Sequence, residues 1–205
     1  MRMSFFDFRH GREILERRAA WMEFFDVISD IRLDEVLAAQ SSFAERGRRV
    51  PAGGQSALNK VFRDRLIPLG WMPEPRLFPN TERDLRKWKM DFIKEAIGVE
   101  VSFNHAEAIP WTFTRLNIAG ESERVLDGSR IDVGVALFAT ESLKSWSKMD
   151  SAVGTFEIAE AWLKMMKPIM PIPILVVGLD AEGWPPTDAF RGTGKGTRTP
   201  ANPEF

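Results

Sequence analysis

The 205-residue sequence contains no cysteine. This absence excludes disulfide bonds, thiolate nucleophiles, and zinc or iron–sulfur sites with cysteine ligands. The sequence also lacks the roughly 18 consecutive apolar residues of a membrane-spanning helix, and charged residues interrupt the first ten positions, where a signal peptide would be apolar. We therefore expect a cytoplasmic protein.

The sequence has no strong net charge either. The formal net charge is −1 and the isoelectric point is near 6.2, so any contact with nucleic acid must depend on local basic patches. The length predicts one compact domain over residues 1–180, with a helical N-terminal part over 11–67. Glycine and proline dominate residues 181–205, which we expect to form a flexible C-terminal tail.

Hydrophobic periodicity predicts an α/β fold with a mixed central β-sheet flanked by helices. Alternating polar and apolar residues over 88–93 and 97–103, within the segment 86–104, indicate a β-hairpin with a break at Glu95 and Ala96. Apolar residues at helical spacing predict helices, and continuous or alternating apolar runs predict further strands. The helices are expected at 12–29, 33–43, from Ser56 to about Leu66, at 106–119 and at 151–167, and the further strands at 131–139 and 173–179.

The predicted hairpin brings two carboxylates together. If the chain turns between Glu95 and Ala96, Asp91 lies opposite Glu100, and facing Cβ atoms in an antiparallel pair are about 4.5–5.5 Å apart. Ser102 and Asn104 would share the polar face with Glu100. Two neighbouring carboxylates are typical ligands of a hard divalent cation such as Mg²⁺.

A second interpretation of the same spacing is a hairpin with a solvated polar face. Glu100 would then pair with Lys89 or Lys94, and the pair of acids would have no chemical role. Spacing alone does not decide between the two.

The segment from Asp91 to Phe103 resembles the active-site hairpin of the BglII and BstYI type restriction endonucleases, a branch of the PD-(D/E)XK nuclease superfamily. Members carry an Asp, eight intervening residues and then Glu-x-Gln. The predicted strand 131–139, the helix through 156–166 and the strand 174–179 follow in the order that this family uses. The resemblance implies a type II restriction endonuclease, a homodimer that cuts double-stranded DNA with Mg²⁺.

Transferred to this sequence, the resemblance implies that Asp91 and Glu100 hold the metal, with the backbone carbonyl of Val101 as a third ligand. Ser102 stands at the catalytic position where the superfamily has a lysine that orients the attacking water and this branch has a glutamine. A serine hydroxyl is shorter and uncharged, and Asn104 or Lys89 are candidates for the missing contact. The alternative function is a nuclease-fold protein that binds DNA or a partner without cleaving.

Several basic residues are candidates for contact with DNA phosphates. They lie in a glycine-rich stretch and on the predicted third helix, where the alternative is a solvated helix face. Two weaker candidates are Glu74, as a supporting carboxylate, and His105, as a phosphate contact. The basic candidates are Arg46, Arg48, Arg49, Lys60 and Arg63.

Overall fold

The computed structural model describes residues 1–45, 50–78, 88–121 and 130–191. No helix in these ranges is long and apolar enough to cross a membrane. The helices are α1 (Gly11–Leu15), α2 (Ala19–Ser29), α3 (Leu33–Glu45), α4 (Gln55–Leu66), α5 (Ile109–Glu121), α6 (Glu141–Trp146) and α7 (Phe156–Met166). The strands are β1 (Arg2–Phe8), β2 (Met72–Pro73), β3 (Phe92–Lys94), β4 (Ile97–Ser102), β5 (Val133–Ala139) and β6 (Ile174–Asp180).

The strands form one mixed sheet in the order β1-β6-β5-β4-β3-β2. Strands β4, β5 and β6 are parallel to one another. Strand β1 pairs antiparallel with β6, β3 pairs antiparallel with β4, and β2 pairs antiparallel with β3. Parallel neighbours require a crossover connection; α5 joins β4 to β5, and α6 and α7 join β5 to β6. This architecture confirms the predicted α/β class.

Two hydrophobic clusters cover the two faces of the sheet. Helices α1 to α4 pack on one face and helices α5 and α7 on the other. Because β5 and β6 are buried on both faces, their sequences are nearly continuous apolar runs. Gly134 of β5 allows a close approach of α5, since a Cβ added there would lie 2.9 Å from a methyl carbon of Leu116.

The N-terminal elements differ from the prediction. Residues 2–8 form the edge strand β1, which the sequence analysis missed. A single helix over 12–29 is wrong, because residues 16–18 interrupt it and Arg18 adopts an extended conformation. Arg18 uses this position to donate to the carbonyl of Glu95 (2.6 Å) and to Asp132 (2.7 Å), a tertiary contact that no local pattern reveals.

Three other element boundaries differ from the prediction. The helix predicted from residue 151 begins only at Phe156, and the strand predicted from residue 131 begins at Val133. Helix α4 begins at Gln55, one residue before the predicted start at Ser56. Caps and bends at helix ends depend on neighbouring elements.

Residues 181–191, which belong to the predicted C-terminal tail, pack partly against the rest of the described structure. Phe190 is fully buried, and its ring lies 5.4 Å from that of Trp146, which also contacts Trp184 at 5.1 Å. Aromatic burial of this kind outweighs the disordering tendency of the nearby glycines and prolines. Residues 192–205 lie outside the described residues.

The N-terminal helices hold the β3–β4 hairpin in place. Glu95 and Ala96 form the turn with φ angles of 48° and 61°, as a two-residue turn of type I′ requires. Besides the Arg18 contact, the backbone N–H of Ala20 donates to the Glu95 carboxylate (3.3 Å). Lys94 donates to Glu23 (2.7 Å), so the first turn residue and the residue before it are both bonded to α2.

Candidate active site

The hairpin has the predicted register. Phe92 pairs with Val99, Ile93 with Gly98 and Lys94 with Ile97, so the numbers of each pair sum to 191. Continuing this register places Asp91 opposite Glu100.

The strand predicted over 88–93 is shorter than expected, because Asp91 lies in the bend just before β3. Its backbone carbonyl accepts the N–H of Glu74 (3.0 Å). Its carboxylate turns toward β4, where Oδ2 accepts the N–H of Val101 (2.7 Å). The backbone of β4 therefore holds the Asp91 carboxylate beside Glu100.

Glu100 is buried under helix α5, with 1% of its surface exposed. Arg115 of α5 donates from Nε to Oε1 (2.8 Å) and from Nη2 to Oε2 (2.6 Å) of Glu100. The interpretation of a solvated polar face, with Glu100 paired to Lys89 or Lys94, is therefore wrong. These two lysines pair with Glu74 and Glu23 respectively.

Sequence reasoning missed Arg115. The available signal was an arginine in the middle of a helix that had to cover β4, next to the buried apolar residues Phe113 and Leu116. An arginine in such a position needs an acidic partner, and Glu100 was a candidate.

The two acids have unusual proton affinities. Burial raises the pKa of Glu100 to about 8; the negative charge of Asp91 adds to this rise, and hydrogen bonds from Arg115 oppose it. Burial likewise raises the pKa of Asp91, against the hydrogen bond from Val101 and the charge of Arg115. The site thus disfavours two uncompensated negative charges.

The donor set fits a hard divalent cation. Within the described ranges no group of three or more His, Cys, Asp or Glu residues could hold a metal, so the candidate ligands are two carboxylates and backbone oxygens. Mg²⁺ is commonly bound by one or two carboxylates and keeps several water ligands. A cation between Asp91 and Glu100 would also relieve their repulsion.

Ser102 lies on the same face of β4 as Glu100 but is buried, with 2% exposed. Thr112 of α5 donates a hydrogen bond to its hydroxyl (3.2 Å). Asn104, one of the two candidates for the missing contact, is exposed beyond the end of β4. The other, Lys89, points to Glu74 (2.8 Å).

A part-exposed group of charges lies next to Asp91. Glu74 accepts hydrogen bonds from Arg63 (2.9 Å) and Lys89 (2.8 Å), and these partners, Lys89 first, lower the pKa of Glu74. Both Glu74 and Arg63 act electrostatically on Asp91. The two cations around one acid leave a positive charge at the rim of the site.

The remaining candidates are a lysine on α4, a histidine before α5 and three arginines. Lys60 forms an ion pair with Asp64 on α4. His105 is exposed before α5 and its side chain makes no capping hydrogen bond. Arg46, Arg48 and Arg49 lie outside the described residues.

A mixed sheet with helices on both faces, carrying two neighbouring carboxylates on a hairpin, defines a domain of the restriction-endonuclease kind. The family model described as "Restriction endonuclease BglII/BglIII" matches residues 3–179. The chain belongs to this family, which confirms the predicted resemblance. Family and fold together indicate a site-specific DNA endonuclease.

Solved structures support the same fold. A crystal structure of restriction endonuclease BglII complexed with a DNA 16-mer matches with a TM-score of 0.67 and 20% identity, covering 88% of this chain and 77% of that chain. A crystal structure of free BglII matches with a TM-score of 0.54 and 18% identity, covering 87% and 79%. A comparison with curated protein sequences finds no match.

The stability of a Glu100→Gln variant relative to wild type should increase with pH in the metal-free protein. The pKa of Glu100 rises from an ordinary 4.5 to about 8 on folding, so its contribution to stability is fully present below the lower value and is lost as pH rises through the higher one. We expect the difference in unfolding free energy between Glu100→Gln and wild type to grow by up to about 1.4 kcal/mol per pH unit.

Thermal or urea unfolding in EDTA between pH 5.5 and 9 measures this difference. Glu13→Gln, at an exposed position, is the control and should show no such trend. A Glu100→Gln effect that is the same at every pH would contradict the expectation.

Proposed function

We propose that the protein hydrolyses phosphodiester bonds of double-stranded DNA as a type II restriction endonuclease, with Mg²⁺ held by Asp91, Glu100 and the backbone carbonyl of Val101. The observation that carries this proposal is the convergence of two carboxylates on adjacent positions of the hairpin, one held by the Val101 N–H and the other buried against Arg115. One nuclease domain over residues 1–180, located in the cytoplasm, is part of the same proposal.

The residues of the chain have separate tasks in this proposal. The hydrogen bond from Val101 fixes the orientation of the Asp91 carboxylate. The two hydrogen bonds from the Arg115 guanidinium fix the orientation of the Glu100 carboxylate. When bound, Mg²⁺ lowers the pKa of a water molecule and stabilises negative charge on phosphoryl oxygens. Helix α5 excludes bulk water from the inner side of the site, since Glu100 and Ser102 are both buried.

DNA would be held at the rim of this site. Arg63 and Lys89 lie near Asp91 and are part-exposed. They can therefore leave their ion pairs with Glu74 and bind phosphates of the DNA backbone instead. Lys60, on the same helix as Arg63, is a further candidate, and Arg46, Arg48 and Arg49 remain predictions from sequence. The DNA complex of BglII supports a DNA-binding role for this fold.

A specific observation favours a second candidate, a protein that binds DNA or a partner without cutting it. Ser102 is buried, uncharged and bonded to Thr112, and it stands where related nucleases carry a residue that orients water. Cleavage assays distinguish the two candidates.

Cleavage of DNA should depend on Mg²⁺ and on both acids. We expect purified protein to cut plasmid and phage DNA at fixed positions with Mg²⁺ and not with EDTA. Asp91→Asn and Glu100→Gln should each reduce the cleavage rate at least about a hundredfold, because each removes a charged ligand from the site. Gel analysis of the products measures both effects.

Asp188→Asn, at an exposed position away from the hairpin, is the matched control and should cut normally. Ser102→Ala should retain most of the cleavage rate if the buried hydroxyl has only a packing role. Binding without cutting, across varied DNA substrates, would support the second candidate.

Arg63 and Lys89 should contribute to DNA affinity through phosphate contacts. We expect Arg63→Ala and Lys89→Ala each to weaken binding on all sequences and to reduce the slope of log K against log salt by about 1. Fluorescence anisotropy with a labelled duplex in EDTA measures the slope. Arg17→Ala removes an exposed arginine paired with Glu13 and should leave the slope unchanged; a slope unaltered in all three variants would remove both residues from the DNA contact.

We also infer a homodimer, because one site cuts one strand and two related copies are needed to cut both. Helix α7 and the turn after it expose apolar side chains at spacings of three and four residues. Trp162, Met165 and Ile169 are 36%, 74% and 66% exposed. Exposed apolar groups of this kind on one side of a helix are common at protein interfaces, and a second copy of the chain is the proposed occupant.

Met165→Glu should therefore shift the protein from dimer to monomer, because it places a charge in the apolar contact. Size-exclusion chromatography with light scattering measures the mass. Ser145→Glu adds the same charge to an exposed position on α6 and should leave the dimer intact. A Met165→Glu protein that stays dimeric would place the interface elsewhere.

A further inference from the structure

We propose that Arg115 is a positioning residue of the cleavage site: it holds Glu100 in the orientation that receives the metal and contributes, from helix α5, the positive charge that Ser102 does not provide. This inference deepens the proposed function and rests on it. Arg115 has no counterpart among the residues that the sequence motif identifies.

The contact between Arg115 and Glu100 is a two-point one. Both carboxylate oxygens accept a hydrogen bond from the guanidinium, at 2.8 and 2.6 Å, so the fork fixes the plane of the carboxylate as well as its position. A carboxylate offers about four lone-pair directions. Arg115 uses two of them and leaves two for a cation on the side of Asp91.

The fold determines where this charge lies. Three hydrogen bonds connect α5 to β4. Thr112 donates one to Ser102, and Arg115, about one turn later in the helix, donates two to Glu100, two residues earlier in the strand. The helix therefore runs antiparallel to the strand, as a crossover between two parallel strands does. The close packing of α5 on Gly134 of β5 keeps the helix near the sheet, where Arg115 can reach Glu100.

Charge balance gives Arg115 its role. Asp91 and Glu100 together neutralise one divalent cation, so the metal and its two carboxylates would carry no net charge. A lysine at the position of Ser102 would add one positive charge, and Arg115 adds the same charge from a different element. Its field also reaches Asp91, where it favours the ionised carboxylate.

Binding of Mg²⁺ to the full chain without DNA tests the proposal. Isothermal titration calorimetry with magnesium chloride at pH 8.5 would compare wild type with Arg115→Met and Arg115→Lys. We expect Arg115→Met to raise the Kd about 10–100-fold, as loss of a group that supports a metal ligand does, and Arg115→Lys, which keeps the charge without the fork, to recover part of the affinity.

Arg65→Met is the matched control. Arg65 forms the same kind of fork with Glu35, at 2.7 Å to each oxygen, and its side chain is 24% exposed against 23% for Arg115. The pair lies on α3 and α4, away from the hairpin. Arg65→Met should lower the melting temperature and leave the Kd for Mg²⁺ unchanged, which separates a loss of stability from a loss of positioning.

If Arg115→Met does not fold, Arg115→Gln, which retains a hydrogen-bond donor without the charge, has the same expected result. Folded variants with a wild-type or tighter Kd would overturn the inference, since Arg115 would then be dispensable or would compete with the metal. In cleavage assays the expected change is a higher half-saturating Mg²⁺ concentration, with a smaller change in the rate at saturation.

Asp91→Asn separates this inference from the function on which it rests. If wild-type protein shows no Mg²⁺ binding that Asp91→Asn removes, the proposed metal site fails and the role of Arg115 fails with it. If that binding is present and Arg115→Met retains it, only the role of Arg115 is wrong.

Discussion

Burial of the Glu100 carboxylate under helix α5 is the constraint on which the rest of the site depends. An isolated carboxylate in an apolar interior costs far more free energy than the marginal stability of a domain allows, so the charge needs partners. The structure provides Arg115 on one side and leaves Asp91 on the other. The Arg115 guanidinium therefore fixes the position of Glu100, while the two carboxylates together still favour a second positive charge beside them.

Contacts from neighbouring elements hold the β3–β4 hairpin in position around this pair. Arg18 and Ala20 hold the turn at Glu95, and α5 packs closely over the parallel strand β5. A metal site requires ligands placed to within a fraction of an ångström. The N-terminal helices and α5 contact the hairpin from opposite faces of the sheet and limit its movement. Residues far from the two acids in sequence therefore help to position them.

Membership of the BglII/BglIII restriction endonuclease family accounts for the general activity, while the local chemistry departs from the family pattern at Ser102. In the proposed site, helix α5 supplies a positive charge that strand β4 does not carry. This arrangement is physically reasonable, because an electrostatic field depends on where a charge lies and not on which element carries it.

Much of the hairpin was predictable from the sequence. Alternation along β4 and the turn at Glu95 and Ala96 determine the register, and the register brings Asp91 opposite Glu100, because side chains on a strand alternate with period two. The continuous apolar run of β6 likewise predicts a central strand. These features are local: each depends on residues within about ten positions of one another.

Other features could not be read from local pattern. At the break between α1 and α2, Arg18 contacts Glu95, and in the segment 181–191 Phe190 packs against Trp146; both contacts join residues far apart in the sequence. Only the tertiary structure decided that the polar face of β4 is buried and that Arg115 is the partner of Glu100. The sequence by itself determined which acids face each other. It could not determine what covers them, because packing brings together residues from distant parts of the chain, with no fixed spacing between them.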